Sequence, residues 1–515
     1  MTQSDPSFNL WSEPWITLEK KDGSLIRLGI KQALVRANKF CSIYDPSPLV
    51  VVGIYRLLTA ILQDIFDPQN PRDLQQLWKR DNFSEAKINT FGQEYANRFD
   101  IFSEDAPFLQ SADISCEPPN RGTKTVTYLM PQIPAGSAVT HYRHGMEDEN
   151  CLCPACVAQG LLTFPAFATS GGAGIKPSIN GVPPIYILPG GKNLYEILIA
   201  SLVLPQYQPK VASTTKDSVW WKREPIVERK AIAHDVGYLH SLIFPARRVR
   251  LFPERINDTC SKCGQKIEWG VSTMIYKMGE SRPKDAPFWF DPFVAYYIRD
   301  KKGPVPLRPQ EGKAIWREFA SLFLPCPGDE SEEYTKPPSV LYQLAECNLG
   351  NVDIYPFRCI GMRTDMRMKV FEWLDVGFDV PTSLLHDYEG SDEVRLAIDF
   401  ANGCAGIISH TFQKCLGGEG KDEHHKSLRH RMIDDFWTAL AHPFRDFVLA
   451  AAEPNTRASA RLRWIDRVVA EGKEAFKTYS NMIGSNASSL RKRVIGRRNC
   501  NIRLYKKRKE QIPDE

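Results

Sequence analysis

Several absences narrow the chemistry open to this 515-residue chain. The longest apolar run, Leu49 to Leu62, is interrupted by Arg56 and is shorter than the roughly 20 residues a bilayer-spanning helix needs. It reads as a buried helix. The opening Met1-Thr-Gln-Ser-Asp-Pro6 is polar and lacks the basic-then-apolar order of a secretory signal. A cytoplasmic protein with no membrane partner is the expectation. Charge of one sign is also scarce: a net +5 is small for this length and does not by itself imply a nucleic-acid partner. Low-complexity tracts and internal repeats are absent, which argues against solenoids and propellers. Familiar catalytic signatures are missing too. There is no G-x-S-x-G elbow, and His424, His425 and His430 lack H-E-x-x-H spacing. The acidic residues form no recognisable two-metal nuclease cluster.

What is present describes a reduced globular protein. Hydrophobic residues make up 43% and charged residues 25%, which is ordinary for folded chains. The length calls for two to four domains. Most of the 13 cysteines are scattered, but two pairs share C-x₂-C spacing: Cys153-Pro-Ala-Cys156 and Cys260-Ser-Lys-Cys263. That spacing turns both thiolates onto one ion, and two such pairs complete a tetrahedral S₄ shell. Structural Zn²⁺ on Cys153, Cys156, Cys260 and Cys263 is therefore expected. An all-thiolate shell leaves no open position for water, which disfavours catalytic zinc. The deaminase signature H-x-E…P-C-x-x-C is absent as well. Cys151 precedes the first pair and leaves open which sulfurs bind.

The patterning predicts an α+β fold. Phe8–Leu18 and Leu25–Leu28, joined by a Lys21-Asp-Gly23 turn, read as a β-hairpin. Ile30–Ala37 and Pro48–Phe66 carry helical periodicity. Residues 195–380 read as short strands and turns with many aromatics, without βαβ spacing. Beyond Pro381 come four helical stretches, Asp392–Leu416, His424–Ala452, Thr456–Ile483 and Ala487–Lys509, separated by Gly- and Pro-containing breaks. Short connections between such helices predict an antiparallel four-helix bundle over 381–515, after a large mixed domain over 1–380 that holds the zinc-stapled loops.

Two further features bear on function. Ser170-Gly171-Gly172-Ala173-Gly174 lacks the Lys-Ser/Thr of a P-loop and the frame of a dinucleotide fingerprint. It is either a flexible turn or a place where bare backbone approaches a narrow surface such as a minor groove. Between Arg491 and Lys509 stand ten Lys or Arg, including Arg497, Arg498, Lys506 and Lys507, with no acid among them. This is either a solvated face or a phosphate-binding one. The lack of an acidic partner within the run favours phosphate contact.

At this point the residues resemble a known family. Phe8-Asn-Leu-Trp-Ser-Glu-Pro-Trp-Ile16, Phe99-Asp-Ile-Phe-Ser-Glu-Asp-Ala-Pro-Phe-Leu-Gln110, the first cysteine pair with Phe167–Gly174, and Gly361–Trp373 are similar, in order and spacing, to CasA. CasA is the large subunit of the type I-E CRISPR Cascade complex. The resemblance implies a non-enzymatic subunit that binds crRNA and double-stranded target DNA. It reads the PAM, starts strand separation and R-loop formation, and helps recruit a separate helicase-nuclease. Backbone, small and handle-binding subunits would be its neighbours. By the same resemblance, Ser170–Gly174 is the PAM-facing loop, with Ala173 where a relative has glycine. Lys277 is the lysine finger. Arg363-Thr364-Asp365-Met366-Arg367 is the wedge hairpin, whose wedge falls at Met366 or Arg367 where a relative has glutamine. Thr140-His141-Tyr142 with Arg143 is the crRNA-handle loop. The rival expectation is a zinc-dependent enzyme acting on nucleic acid, such as a nuclease.

Overall fold

A computed structural model describes residues 6–114, 123–130, 150–169, 175–211, 217–224, 233, 235–283, 285–299, 303–325, 333–364, 370–415, 423–484 and 486–511. The fold is mixed α+β and divides into two compact units. The first takes Met1–Pro309, Glu330–Val352 and Pro356–Phe378. The second takes Gln310–Asp329, Asp353–Tyr355 and Asp379–Glu515.

The first unit opens with the expected hairpin. β1 (Ile16–Lys20) and β2 (Leu25–Leu28) are antiparallel with Ile16 opposite Leu28, and β3 (Phe40–Ile43) adds to the other edge of β1. The helix read from periodicity follows as α1 (Pro48–Phe66). Pro48 sits at the first helical position, where its missing N–H is harmless. By length and composition α1 could cross a bilayer, but Pro48 to Gln63 are buried inside the unit. Arg56 is buried with them. Its Nη1 is 3.0 Å from Asp291, and its other nitrogens donate to the carbonyls of Ser241 and Leu242. A charge within the apolar run is thus met by a paired carboxylate rather than by solvent.

The middle of the unit departs from the expectation of short strands. After β4 (Thr123–Thr125), α2 (Pro154–Leu161) and β5 (Tyr186–Pro189) comes a long hairpin, β6 (Arg247–Thr259) and β7 (Lys266–Met278), each of 13 residues. Its outer half is largely exposed and carries Glu254, Arg255, Asp258, Lys266 and Glu268, so no apolar alternation announces it. Pro253 lies at a register shift, where a missing N–H is tolerated. Three further short strands follow as a small sheet: β8 (Tyr296–Ile298), β9 (Val305–Pro306) and β10 (Tyr334–Lys336). A second long pair, β11 (Ile354–Thr364) and β12 (Val370–Pro381), forms a sheet with β5.

Four long helices make up most of the second unit: α3 (Tyr388–Cys415), α4 (Glu423–Ala451), α5 (Pro454–Asn481) and α6 (Ala487–Lys509). α5 packs on α3, α4 and α6, and α3 also packs on α4 and α6. Their buried stripes interleave Phe412, Phe436, Trp437, Phe444, Trp464 and Phe476. Residues 310–329 belong to this unit because Trp316 lies among these rings, 4.6 Å from Phe444 and 5.6 Å from Trp437 between centroids.

Candidate metal centre and nucleic-acid interface

The two cysteine pairs are positioned by different elements. Cys153 is the N-cap of α2, and its sulfur accepts the backbone N–H of Cys156 at 3.4 Å. One turn of helix returns Cys156 to the Cys153 side. The second pair forms the tip of the β6–β7 hairpin. There the N–H of Cys260 donates to the Gln265 carbonyl (2.8 Å), and that of Gly264 donates to the Cys260 carbonyl (2.9 Å). Gly264 has φ of +71°, a conformation costly for any residue with a Cβ.

The pairs converge. The Cys153 N–H donates to Cys260 Sγ at 3.2 Å, Cys153 Sγ is 3.7 Å from Cys263 Sγ, and all four sulfurs lie within 4.8 Å of one another. Zinc–sulfur bonds of ~2.3 Å in a tetrahedron place sulfurs ~3.8 Å apart, so the tetrad has the size of an S₄ metal site. Cys151 is not in it. Its backbone exchanges hydrogen bonds with Ser261 (3.0 and 2.8 Å), and Leu152 bridges to Val271. The Cys151 sulfur instead faces Gly270, where an added Cβ would lie 2.3 Å from it. Cys151 thus stands apart from the four sulfurs that lie close together.

The electrostatics of the tetrad suit a cation. The Cys153 sulfur and then that of Cys260, with burial, push the Cys156 thiol up, while hydrogen bonds from Cys153 and Cys156 hold Cys260 down. Thiols this close resist ionising together when no cation lies between them. A divalent ion would replace their protons and draw out the thiolates. Lys262, inside the second pair, reaches Asp45 (3.2 Å) and Gln159 (2.8 Å) and braces the tip against the N-terminal part of the unit.

The other sequence-derived residues are more scattered. Lys277 is exposed on β7 opposite Arg248, near the open end of the hairpin. About 11 strand residues of rise separate it from the cysteine tip, roughly 35 Å. The second cysteine pair therefore does not adjoin Lys277, as their nearness in sequence suggests. Nor does the first pair run directly into the glycine-rich segment, because α2 and a short helix, Phe164–Phe167, intervene. Arg363 and Thr364 end β11, with Arg363 Nε 3.0 Å from Glu372 on β12. Ser170–Gly174, Thr140–Arg143 and Asp365–Arg367 lie outside the described residues.

Within the basic helix α6 no acid is present, but some of its cations find partners outside the run. Lys507 pairs with Glu510 at 3.2 Å, just past the run, and Arg508 pairs with Asp466 of α5 at 2.6 Å. Arg497 donates to Ser480 Oγ (2.9 Å) and the Lys477 carbonyl (3.2 Å), closing the end of α5. Arg491, Arg498, Lys506 and Lys509 remain exposed. Exposed with them are Ile495, Ile502 and Tyr505, so Arg491, Ile495, Arg498, Ile502, Tyr505 and Lys509 follow one another at spacings of four and three along one helix face.

Fold and site together define a two-unit α+β protein with an all-thiol candidate metal centre and a mixed basic and apolar helix face. The chain belongs to the CRISPR-associated protein Cse1 family, whose model matches residues 9–475. It is 28% identical over 510 residues to the CRISPR-associated protein CasA/Cse1 of Thermus thermophilus, covering 94% of each chain. Its fold is similar to the crystal structure of Cse1 from Acidimicrobium ferrooxidans, with a TM-score of 0.82 at 22% identity, covering 99% of this chain and 100% of that one. It is also similar to a chain of a CRISPR RNA-guided surveillance complex, with a TM-score of 0.75 at 18% identity, covering 96% and 99% of the two chains.

Proposed function

We propose that this chain is the large subunit of an RNA-guided surveillance complex of the type I-E Cascade kind. The family match over residues 9–475 carries this reading. In it, the chain works in the cytoplasm with crRNA, double-stranded target DNA and the backbone, small and handle-binding subunits. It senses the PAM, begins strand separation, and helps a separate helicase-nuclease to engage. Cys153, Cys156, Cys260 and Cys263 hold a structural Zn²⁺, which supplies a cross-link between α2 and the hairpin tip. Ser170–Gly174 and Lys277 face the PAM, Arg363–Arg367 form the wedge, and Thr140–Arg143 meet the crRNA handle. The four C-terminal helices act as an antiparallel bundle whose exposed cations contact phosphate.

The decisive experiment reconstitutes the complex with and without this chain and follows R-loop formation on a guide-matched duplex. R-loops are expected only with the chain present. Robust cleavage of DNA by the isolated chain with Mg²⁺ or Mn²⁺ would favour the nuclease alternative and sink this reading.

The loop and the wedge have separable roles. Gly172→Trp weakens binding to PAM-bearing duplex by blocking backbone approach. A Met366→Ala/Arg367→Ala pair instead slows R-loop opening more than first binding, as stopped-flow measurements on the reconstituted complex can separate. Equal rates and affinities in both variants would refute the placement of loop and wedge. For α6, changing the exposed Arg491, Arg498 and Lys506 to Gln reduces the slope of log K against log salt by about 0.9 for each phosphate that is no longer neutralised. Arg497→Gln is expected to shift that slope little and to loosen the end of α5. An unchanged slope in the triple variant would remove the phosphate role.

A further inference from the structure

The strongest unassigned feature is Arg247, the first residue of β6. It is 6% exposed and has no carboxylate partner among its hydrogen bonds in the described residues. Its guanidinium is spent on three carbonyls. Nη1 donates to Lys176 and to Ala246, each at 2.8 Å, and Nη2 donates to Thr169. Burial pulls its pKa down to about 10, a mark of how poorly the site solvates a charge. Thr169 and Lys176 are the residues that bracket the segment 170–175. One planar, forked side chain thus holds both of these flanking residues, a task for which its fixed donors suit it and a lysine does not.

The surroundings hold Arg247 in that position. Ala168 and Ala246, its neighbours on either side of the grip, pack in one apolar cluster with Phe244 and Trp289. Arg247 is opposite Met278 in the hairpin, and the Lys176 N–H donates to the Met278 sulfur at 3.2 Å. The residue before it in β7 is Lys277. The stem of the loop and the strand carrying Lys277 are therefore fastened at a single point, far from the cysteine tip.

We infer that Arg247 is a positioning residue for PAM recognition, holding Thr169, Lys176 and the strand end that carries Lys277 as one unit without itself touching DNA. The inference rests on the proposed reading of the loop 170–174. Its test uses the reconstituted complex and a duplex library with one guide-matched target and randomised flanking bases. In Arg247→Met, the binding ratio between the best and the median flank falls about tenfold. Zinc content, assembly and affinity for duplex lacking the target stay at wild-type levels. Arg247→Lys falls between the two, and it carries the test if Arg247→Met does not assemble. Proteolysis within 169–176, mapped by mass spectrometry, is faster in both variants. Full flank discrimination in Arg247→Met, alongside its loss in Gly172→Trp, overturns the inference and leaves the loop reading intact. If Gly172→Trp also discriminates normally, the loop reading fails instead. In that case faster proteolysis still supports Arg247 as the anchor, and unchanged proteolysis overturns that too.

Discussion

Replacing Arg56 by Met is expected to destabilise the first unit by about 3–5 kcal/mol, the usual cost of removing one partner from a buried ion pair. Arg56 and Asp291 have side chains 3% and 1% exposed, so neither charge has water to fall back on. Burial alone would lower the Arg56 pKa, but Asp291 beside it holds it above its ordinary value. The substitution also strips donors from the carbonyls of Ser241 and Leu242 and removes a cation 5.1 Å from the Tyr186 ring centre. Asp291 would keep the Phe293 N–H and the Asn180 amide. Asp291→Asn leaves a full positive charge buried and should cost at least as much. The double variant Arg56→Met/Asp291→Asn should therefore be less destabilised than the sum of the singles. Denaturant unfolding of the full chain reads all three, and additive losses would mean that the pair is not coupled.

This pair also shows what is legible in a residue pattern. Arg56 stands out as an interruption in an apolar run, but its partner is Asp291, whose position no local pattern discloses. The helices are readable to within a few residues. Ala487–Lys509 is found as expected, and α4 begins one residue earlier than the periodicity suggests. Long amphipathic stripes bounded by Gly and Pro record their own geometry. The β6–β7 hairpin does not, because its outer half is largely exposed and charged, with no apolar face there to impose alternation. The cysteine tetrad is legible for a chemical reason: C-x₂-C spacing is set by the ion, not by the surrounding fold. Arg247 is hidden because its meaning lies in carbonyls at residues 169 and 176, and backbone acceptors leave no trace in a residue pattern.

Cys260→Ser is expected to reduce bound zinc from about one ion per chain to near none, and to lower stability by several kcal/mol. Serine keeps the size of the side chain but is a poor zinc ligand, and three remaining thiols cannot close the shell. The Cys153 N–H would also lose its sulfur acceptor at 3.2 Å. The hairpin tip would then be held mainly by Lys262 and the hydrogen bonds between Cys151 and Ser261. Target binding should weaken as well, through α2 and the short helix Phe164–Phe167, which lead from Cys153 to Thr169. Arg247→Met separates the two effects, since it disturbs the loop stem while sparing the metal. Metal analysis, thermal unfolding and target affinity on both variants, with chelator-treated wild type alongside, make the comparison. A Cys260→Ser chain that keeps one zinc and the wild-type melting temperature would refute the tetrad as a metal site. A chain that loses zinc but binds target normally would confine the metal to stability, leaving Arg247 as the determinant of where the loop sits.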